Sequence, residues 1–308
     1  LKSEVGKGVL WELIETADVV ISNFRVGVMD SLGFSFEEVA ERAPRCVYGL
    51  INGYGQSGER AQRPSFDVVV QAESGLMDLT GYADGKPTKV GVSIADEIAG
   101  LYMVQGILLA LLERQQTERG QLVEVALHDA LLSMFTFQAQ RYLSAGLQPQ
   151  RMGNRHPSIV PYETFEAADG TIVVAVGNEG IWERFCTVLG VQHLLGHERF
   201  ARNPNRVANR EQLEKELAPV FLEHPIAYWE EQLSASGVPC GRVRALNEVI
   251  ESERRTGRDM VVDIDGLELL GVPIKLSRSP ARVKVRPPQL GEHTEAVLTA
   301  LGHTVEEI

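Results

Sequence analysis

Apolar residues along this chain switch between two periodicities. Over residues 120–135, Val123, Val125 and Leu127 alternate with Glu124 and Ala126, and then Ala130, Leu131, Met134 and Phe135 recur at helical spacing. Period two running into period 3.6 predicts a short strand feeding a helix. Upstream, the same reading predicts a helix over Val9–Ala17, a strand within Ala17–Phe24 and a helix over Phe36–Pro44 ended by its proline. A strand over Cys46–Gly55, an element starting at Asp67 and a long helix over Ala95–Arg114 come next. Ala99, Gly100, Gly106 and Ala110 suit that helix to close packing on a sheet. Strands alternating with helices predict an α/β domain with a parallel, doubly wound sheet over residues 1–150.

Composition changes at residues 148–161, where three prolines mark a linker. Beyond it, two strands joined by the Asp169-Gly170 turn lead to a glycine-flanked loop at Gly177–Gly180. Helices are predicted over Ile181–Leu189, Arg210–Leu222 and Ile226–Ser236, giving a smaller α+β domain over 155–265. The tail, 270–308, reads as strand, proline-rich turn and helix, and is expected to return to the large domain. A length of 308 residues supports two domains on its own.

The net charge of −12 argues against nucleic-acid binding, although a local arginine cluster could still receive a small anion. The longest apolar run, Gly106–Leu112, falls short of the roughly 20 residues of a membrane span, so no membrane partner is expected. Cys46, Cys186 and Cys240 are far apart and have no metal-ligand spacing. They predict reduced thiols in a cytoplasmic protein, with no metal site. A targeting segment ahead of Leu1 is left open.

One carboxylate, Asp129, sits at the strand–helix junction in an otherwise apolar stretch. Aspartate is a preferred N-cap, which is the structural explanation. The functional one is a nucleophile, because ligands bind outside the carboxyl ends of strands in open α/β sheets and a helix N-terminus keeps a carboxylate ionised. Asp96, opening the long helix, reads as another cap.

The segments "ADVVISNFRVGVMDSLGF", "GYGQSGERAQRPSFDVVVQAESGLMDLTG", "KVGVSIADEIAGLYMVQGILLALLER", "ERGQLVEVALHDALL", "RMGNRHPSIVPYETF", "GVPCGRV" and "PPQLGEHTEAVL" occur in this order. Together they resemble the family III CoA-transferases, the CaiB/BaiF group. The resemblance implies a Rossmann-like large domain, a smaller domain and an interlocked homodimer. It implies CoA and acyl-CoA as substrates rather than a permanently bound cofactor. It places the family's nucleophile on Asp129, with Asp67 as an acid facing it. In the implied mechanism the carboxylate takes the acyl group as a mixed anhydride, and CoA then returns to form an aspartyl-CoA thioester. Asn23, Phe24 and Arg25 would lie along CoA, and Gly177, Asn178 and Gly180 would form a substrate loop in the small domain.

The sequence departs from the family at Val26 and Ser31, so the phosphate grip is expected to rest on Arg25. The linker suggests succinyl-CoA as donor and a dicarboxylic acid as acceptor, held by Arg141, Arg151 or Arg155. His156 and Tyr162 are expected to pack rather than react. Family members begin with a further βαβ unit, so residues 1–308 are expected to start just after it and to be an incompetent enzyme alone. An acyl-CoA racemase of the same fold is the alternative, opposed by "SGLMD" where the racemases carry a histidine. A non-catalytic CoA-binding protein is the third reading.

Overall fold

The computed structural model describes residue 1 and residues 3–304. The chain divides into two units, residues 1–153 with 294–308, and residues 154–293.

In the first unit α1 (Glu4–Thr16) leads to β1 (Val19–Ser22), α2 (Val28–Leu32) and α3 (Phe36–Arg42). Then come β2 (Val47–Asn52), α4 (Asp67–Glu73), α5 (Leu76–Leu79), α6 (Ile94–Thr117), β3 (Leu122–Ala126), α7 (Leu127–Ser133) and α8 (Thr136–Ala145). The three strands form one parallel sheet in the order β1-β2-β3. Alternation decides which helix each strand face meets. Val20, Tyr48, Leu50 and Leu122 pack against Ile14 of α1 and Val39 of α3. Their sequence neighbours Val19, Val47, Val123 and Val125 pack against Met103, Ile107 and Ala110 of α6. The sheet is therefore covered on both faces, which is why its strands read as nearly continuous apolar runs.

The first turn of α3 is fixed by a capping box: Ser35 Oγ accepts from the Glu38 amide, and the Glu38 carboxylate accepts from the Ser35 amide at 2.8 Å. Bonding to those donors holds the Glu38 carboxyl below its ordinary value. Helix α6 has 24 residues and is long and apolar enough to cross a membrane, beyond what its uninterrupted apolar run suggests. Here one of its faces is spent on the sheet. Glycine is required at Gly120, where a Cβ would overlap the Cys46 carbonyl as the chain turns into β3.

The second unit holds an antiparallel sheet of β4 (Tyr162–Ala167), β5 (Gly170–Ala175) and β6 (Cys240–Arg242) in that order. Between β5 and β6 lie α9 (Glu179–Val188), α10 (Asn203–Ala208), α11 (Arg210–Phe221) and α12 (Ile226–Ala235). Its core joins Phe165, Ile172, Val174, Phe185, Leu213, Phe221 and Trp229. Then α13 (Leu246–Glu253) precedes a hairpin of β7 (Val261–Ile264) and β8 (Leu267–Leu270).

The segment from 271 to 293 belongs with this second unit, so the expected return to the large domain is made only from α14 (Thr294–Ala300) onward. His303 Nε2, 2.9 Å from Glu12 Oε2, ties that return to α1.

Candidate active site

Because the sheet is parallel, the loops after β1, β2 and β3 leave from one edge. The long helix is anchored at the opposite edge by its C-terminus. Arg114 of α6 donates to the Arg45 carbonyl at 2.9 Å and pairs with Asp18 at 2.8 Å, both just ahead of the strands. The N-terminus of α6 therefore points toward the carboxyl edge, where α/β sheets receive their ligands.

Asn23, Phe24 and Arg25 come after β1 at this edge and are exposed. In this turn the Phe24 amide donates to Ser22 Oγ at 3.2 Å and the Arg25 carbonyl accepts the Val28 amide at 3.1 Å, leaving the Arg25 side chain out of both bonds. Asp129 lies beyond β3, but not as a cap. Helix α7 begins at Leu127, its N-cap is Ala126, and no side chain caps it. The strand thus ends at Ala126, one residue before the alternation read to Leu127, and the His128 amide donates to the Gly53 carbonyl at 3.1 Å. Asp129 stands in the first turn with its side chain 78% exposed. It lines an open groove of about 460 Å³ together with Tyr102, Gln105 and Glu124.

Asp67 is where the structure adds most. Its Oδ1 accepts the Ala95 amide at 2.8 Å and its Oδ2 accepts Gln71 Nε2 at 2.7 Å. Gln71 is fully buried and reaches on to the Val90 amide at 2.9 Å, pinning the loop that enters α6. Asp67 is thus the acceptor at the N-terminus of α6, a duty that Ser93 leaves undone, since its side chain makes no capping bond. Ser93, not Asp96, is the N-cap residue, so the cap expected of Asp96 is not formed.

Asp96 is consequently left uncommitted in the first turn of α6, without a hydrogen-bond partner among the described residues. Partial burial, then the charges of Asp67 and Glu97, raise its carboxyl above the ordinary value. Among the described residues no hydrogen bond joins Asp67 to Asp129. The charge of Asp67 contributes instead, after burial, to raising the Asp96 carboxyl. Sequence analysis reads Asp96 as a cap and passes over Gln71, because an acid in a first helical turn and a glutamine four residues after an acid both look like ordinary helix positions.

The comparisons converge. A profile of CoA-transferase family III matches residues 1–294. The chain is 36% identical over 278 residues to acetyl-CoA:oxalate CoA-transferase of Acetobacter aceti, covering 90% of this chain and 72% of that one. It is 35% identical over 311 residues to succinate–glutarate CoA-transferase of Agrobacterium fabrum, covering 99% and 78%. A crystal structure of a CaiB/BaiF family protein from Brucella suis superposes with a TM-score of 0.85 at 37% identity, over 97% of this chain and 79% of that one. The chain belongs to CoA-transferase family III.

In this family III enzyme, Gly177 and Asn178 do come after β5, but Asn178 is occupied as the N-cap of α9, accepting the Ile181 amide at 2.9 Å. Gly180 lies inside that helix rather than in a loop. Of the three arginines expected to hold a remote carboxylate, Arg151 is taken by Asp78 at 2.9 Å, and Arg155 by Glu163 and Glu214. Only Arg141 has no partner among the described residues. His156 and Tyr162 pack ring to ring at 5.2 Å. Burial pushes the Cys186 thiol up to about 12 and raises Cys46 and Cys240, so none of the three thiols is activated as a nucleophile.

Proposed function

We propose that this CoA-transferase exchanges CoA between an acyl-CoA and a small carboxylic acid through a covalent aspartyl intermediate, and that the aspartate is Asp96. The observation that carries the choice is the placement of both carboxyls at the N-terminus of α6, where Asp67 accepts the Ala95 amide and Asp96, raised by burial and then by the charge of Asp67, stays uncapped. The family resemblance calls for an acid facing the nucleophile, and Asp67, the residue matched to that acid, bonds at the N-terminus of α6 beside Asp96. A carboxylate of raised basicity is the stronger nucleophile once ionised, and a helix N-terminus favours the ionised form. Asp129, exposed and 3.4 Å from His128 Nδ1, is the second candidate.

In the proposed cycle the carboxylate attacks the thioester carbonyl and CoA thiolate leaves. The thiolate then attacks the aspartyl carbonyl of the anhydride, releasing the donor acid and forming the aspartyl-CoA thioester. The acceptor carboxylate runs these steps in reverse, so no net proton or electron is exchanged. Asn23, Phe24 and Arg25 are proposed to lie along CoA, and a short dicarboxylate such as succinate or glutarate to serve as acid, in line with the substrates named for the Agrobacterium relative. We also propose a homodimer. Leu101, Val104, Leu108 and Leu112 of α6 and Leu143 of α8 form exposed apolar surface that a second copy would cover. Incubation with succinyl-CoA followed by hydroxylamine should convert the reacting aspartate to its hydroxamate, located by peptide mass spectrometry. No labelled aspartate in a protein that exchanges CoA would refute the covalent route.

A further inference from the structure

Arg60, in the loop between β2 and α4, is one end of a braced array. Its guanidinium forms no ion pair among the described residues, although the neighbouring Arg63 pairs with Glu73. Instead Arg60 Nη1 lies 3.3 Å from His128 Nε2, and its plane sits 5.1 Å over the Tyr54 ring. Arginine has no acceptor, so the contact requires a free lone pair on Nε2 and the proton on Nδ1. The Nδ1–H then points at Asp129 Oδ1, 3.4 Å away. Asp129 thus selects the tautomer, and His128, itself buried, presents a lone pair to Arg60. Tyr54 closes the other side: its ring packs 6.0 Å from the imidazole and its hydroxyl donates to Glu73 at 2.6 Å.

A positive group held by an imidazole lone pair and an aromatic face, with Glu73 near but bonded to Arg63 and Tyr54, keeps its remaining N–H donors free. That is what an oxyanion-binding arginine needs. A surface arginine used only for solubility has no need of a buried histidine behind it.

We infer that Arg60, positioned by His128 and Asp129, binds an oxyanion group of the substrates at the carboxyl edge of the sheet. The inference rests on the transferase reading for the identity of those substrates. Two sources share the chemistry, a distal carboxylate of the acid and a phosphate of CoA.

Binding measurements separate them without needing turnover. Calorimetry or ligand-observed NMR would follow CoA, glutarate and butyrate on wild type, Arg60→Gln and Arg60→Lys. Loss of a bidentate charged contact is expected to weaken the responsible ligand by about 10- to 100-fold, with lysine restoring part of it. Weakened glutarate with unchanged CoA assigns the carboxylate, and weakened CoA assigns the phosphate. Butyrate should not respond. His128→Leu should weaken the same ligand by a smaller factor. All affinities staying within twofold of wild type, in variants with unchanged melting temperature, would overturn the inference. A wild type that binds these ligands but fails to exchange CoA would instead count against the transferase cycle.

Discussion

Replacing Asp96 and Asp129 separately by alanine distinguishes the two candidate nucleophiles. The stability cost of either change is small. Asp96→Ala gives up a first-turn charge favoured by the helix dipole, worth about 0.3–1 kcal/mol. It also removes the repulsion from Asp67 and Glu97 that raises the Asp96 carboxyl. The two effects offset, and the net change should stay within about 1 kcal/mol. Asp129→Ala gives up one long, exposed contact with His128, worth about 0.2–1 kcal/mol at most.

The kinetic consequences diverge. Loss of a covalent nucleophile removes the route itself, expected to cost at least about 10⁴-fold, or about 5 kcal/mol of barrier. Asp96→Ala should therefore show no exchange of succinyl-CoA with glutarate above background and no hydroxamate at that peptide. Asp129→Ala should retain turnover within about tenfold, since it acts only through the orientation of His128 and Arg60. The opposite result, a dead Asp129→Ala beside an active Asp96→Ala, would refute the reasoning from the placement of Asp67 and return the nucleophile to the β3–α7 junction.

Other expectations concern stability. Glu163 is buried beside Glu214, and burial first, then that carboxyl, push it up to about 8 against the pull of Arg210 and Arg155. The folded state therefore holds a proton that the unfolded state releases near the ordinary value of 4.5, so stability should fall as pH rises from about 4.5 to about 8. Glu163→Gln should flatten that slope in melting temperature measured against pH, and an unchanged slope would show that Glu163 is ionised in the fold. Ser35→Ala should cost about 1 kcal/mol through loss of the α3 capping box, read by denaturant titration. Gly120→Ala should be far worse, by about 3 kcal/mol or more, because the new methyl meets backbone that cannot move aside; a shift under about 1 kcal/mol in the same titration would contradict the packing at the Cys46 carbonyl.

The order of elements in the first unit was legible because strand and helix patterns differ in period and because both faces of β1, β2 and β3 are buried, leaving strong apolar runs. Helices α9, α11 and α12 of the second unit were legible from the same amphipathic spacing, to within a residue or two at their ends, whereas the short α10 and α13 were not. The run of motifs from residue 17 onward sufficed for the family, since short-range patterns in a fixed order survive without any knowledge of contacts.

The site was less accessible, because helix capping is a competition for a few amide donors. Ser93, Asp96 and Asp129 all carry capping signatures in one dimension. In three dimensions Asp67, 28 residues upstream, takes the Ala95 amide, and the choice among the three cannot be read locally. The same holds for the cations: Arg151 and Arg155 looked available until folding delivered Asp78, Glu163 and Glu214 to them, whereas Arg60 was brought to an imidazole 68 residues away. The chain's composition sets which charges exist; only the packing of distant segments decides which are neutralised and which remain to meet a substrate.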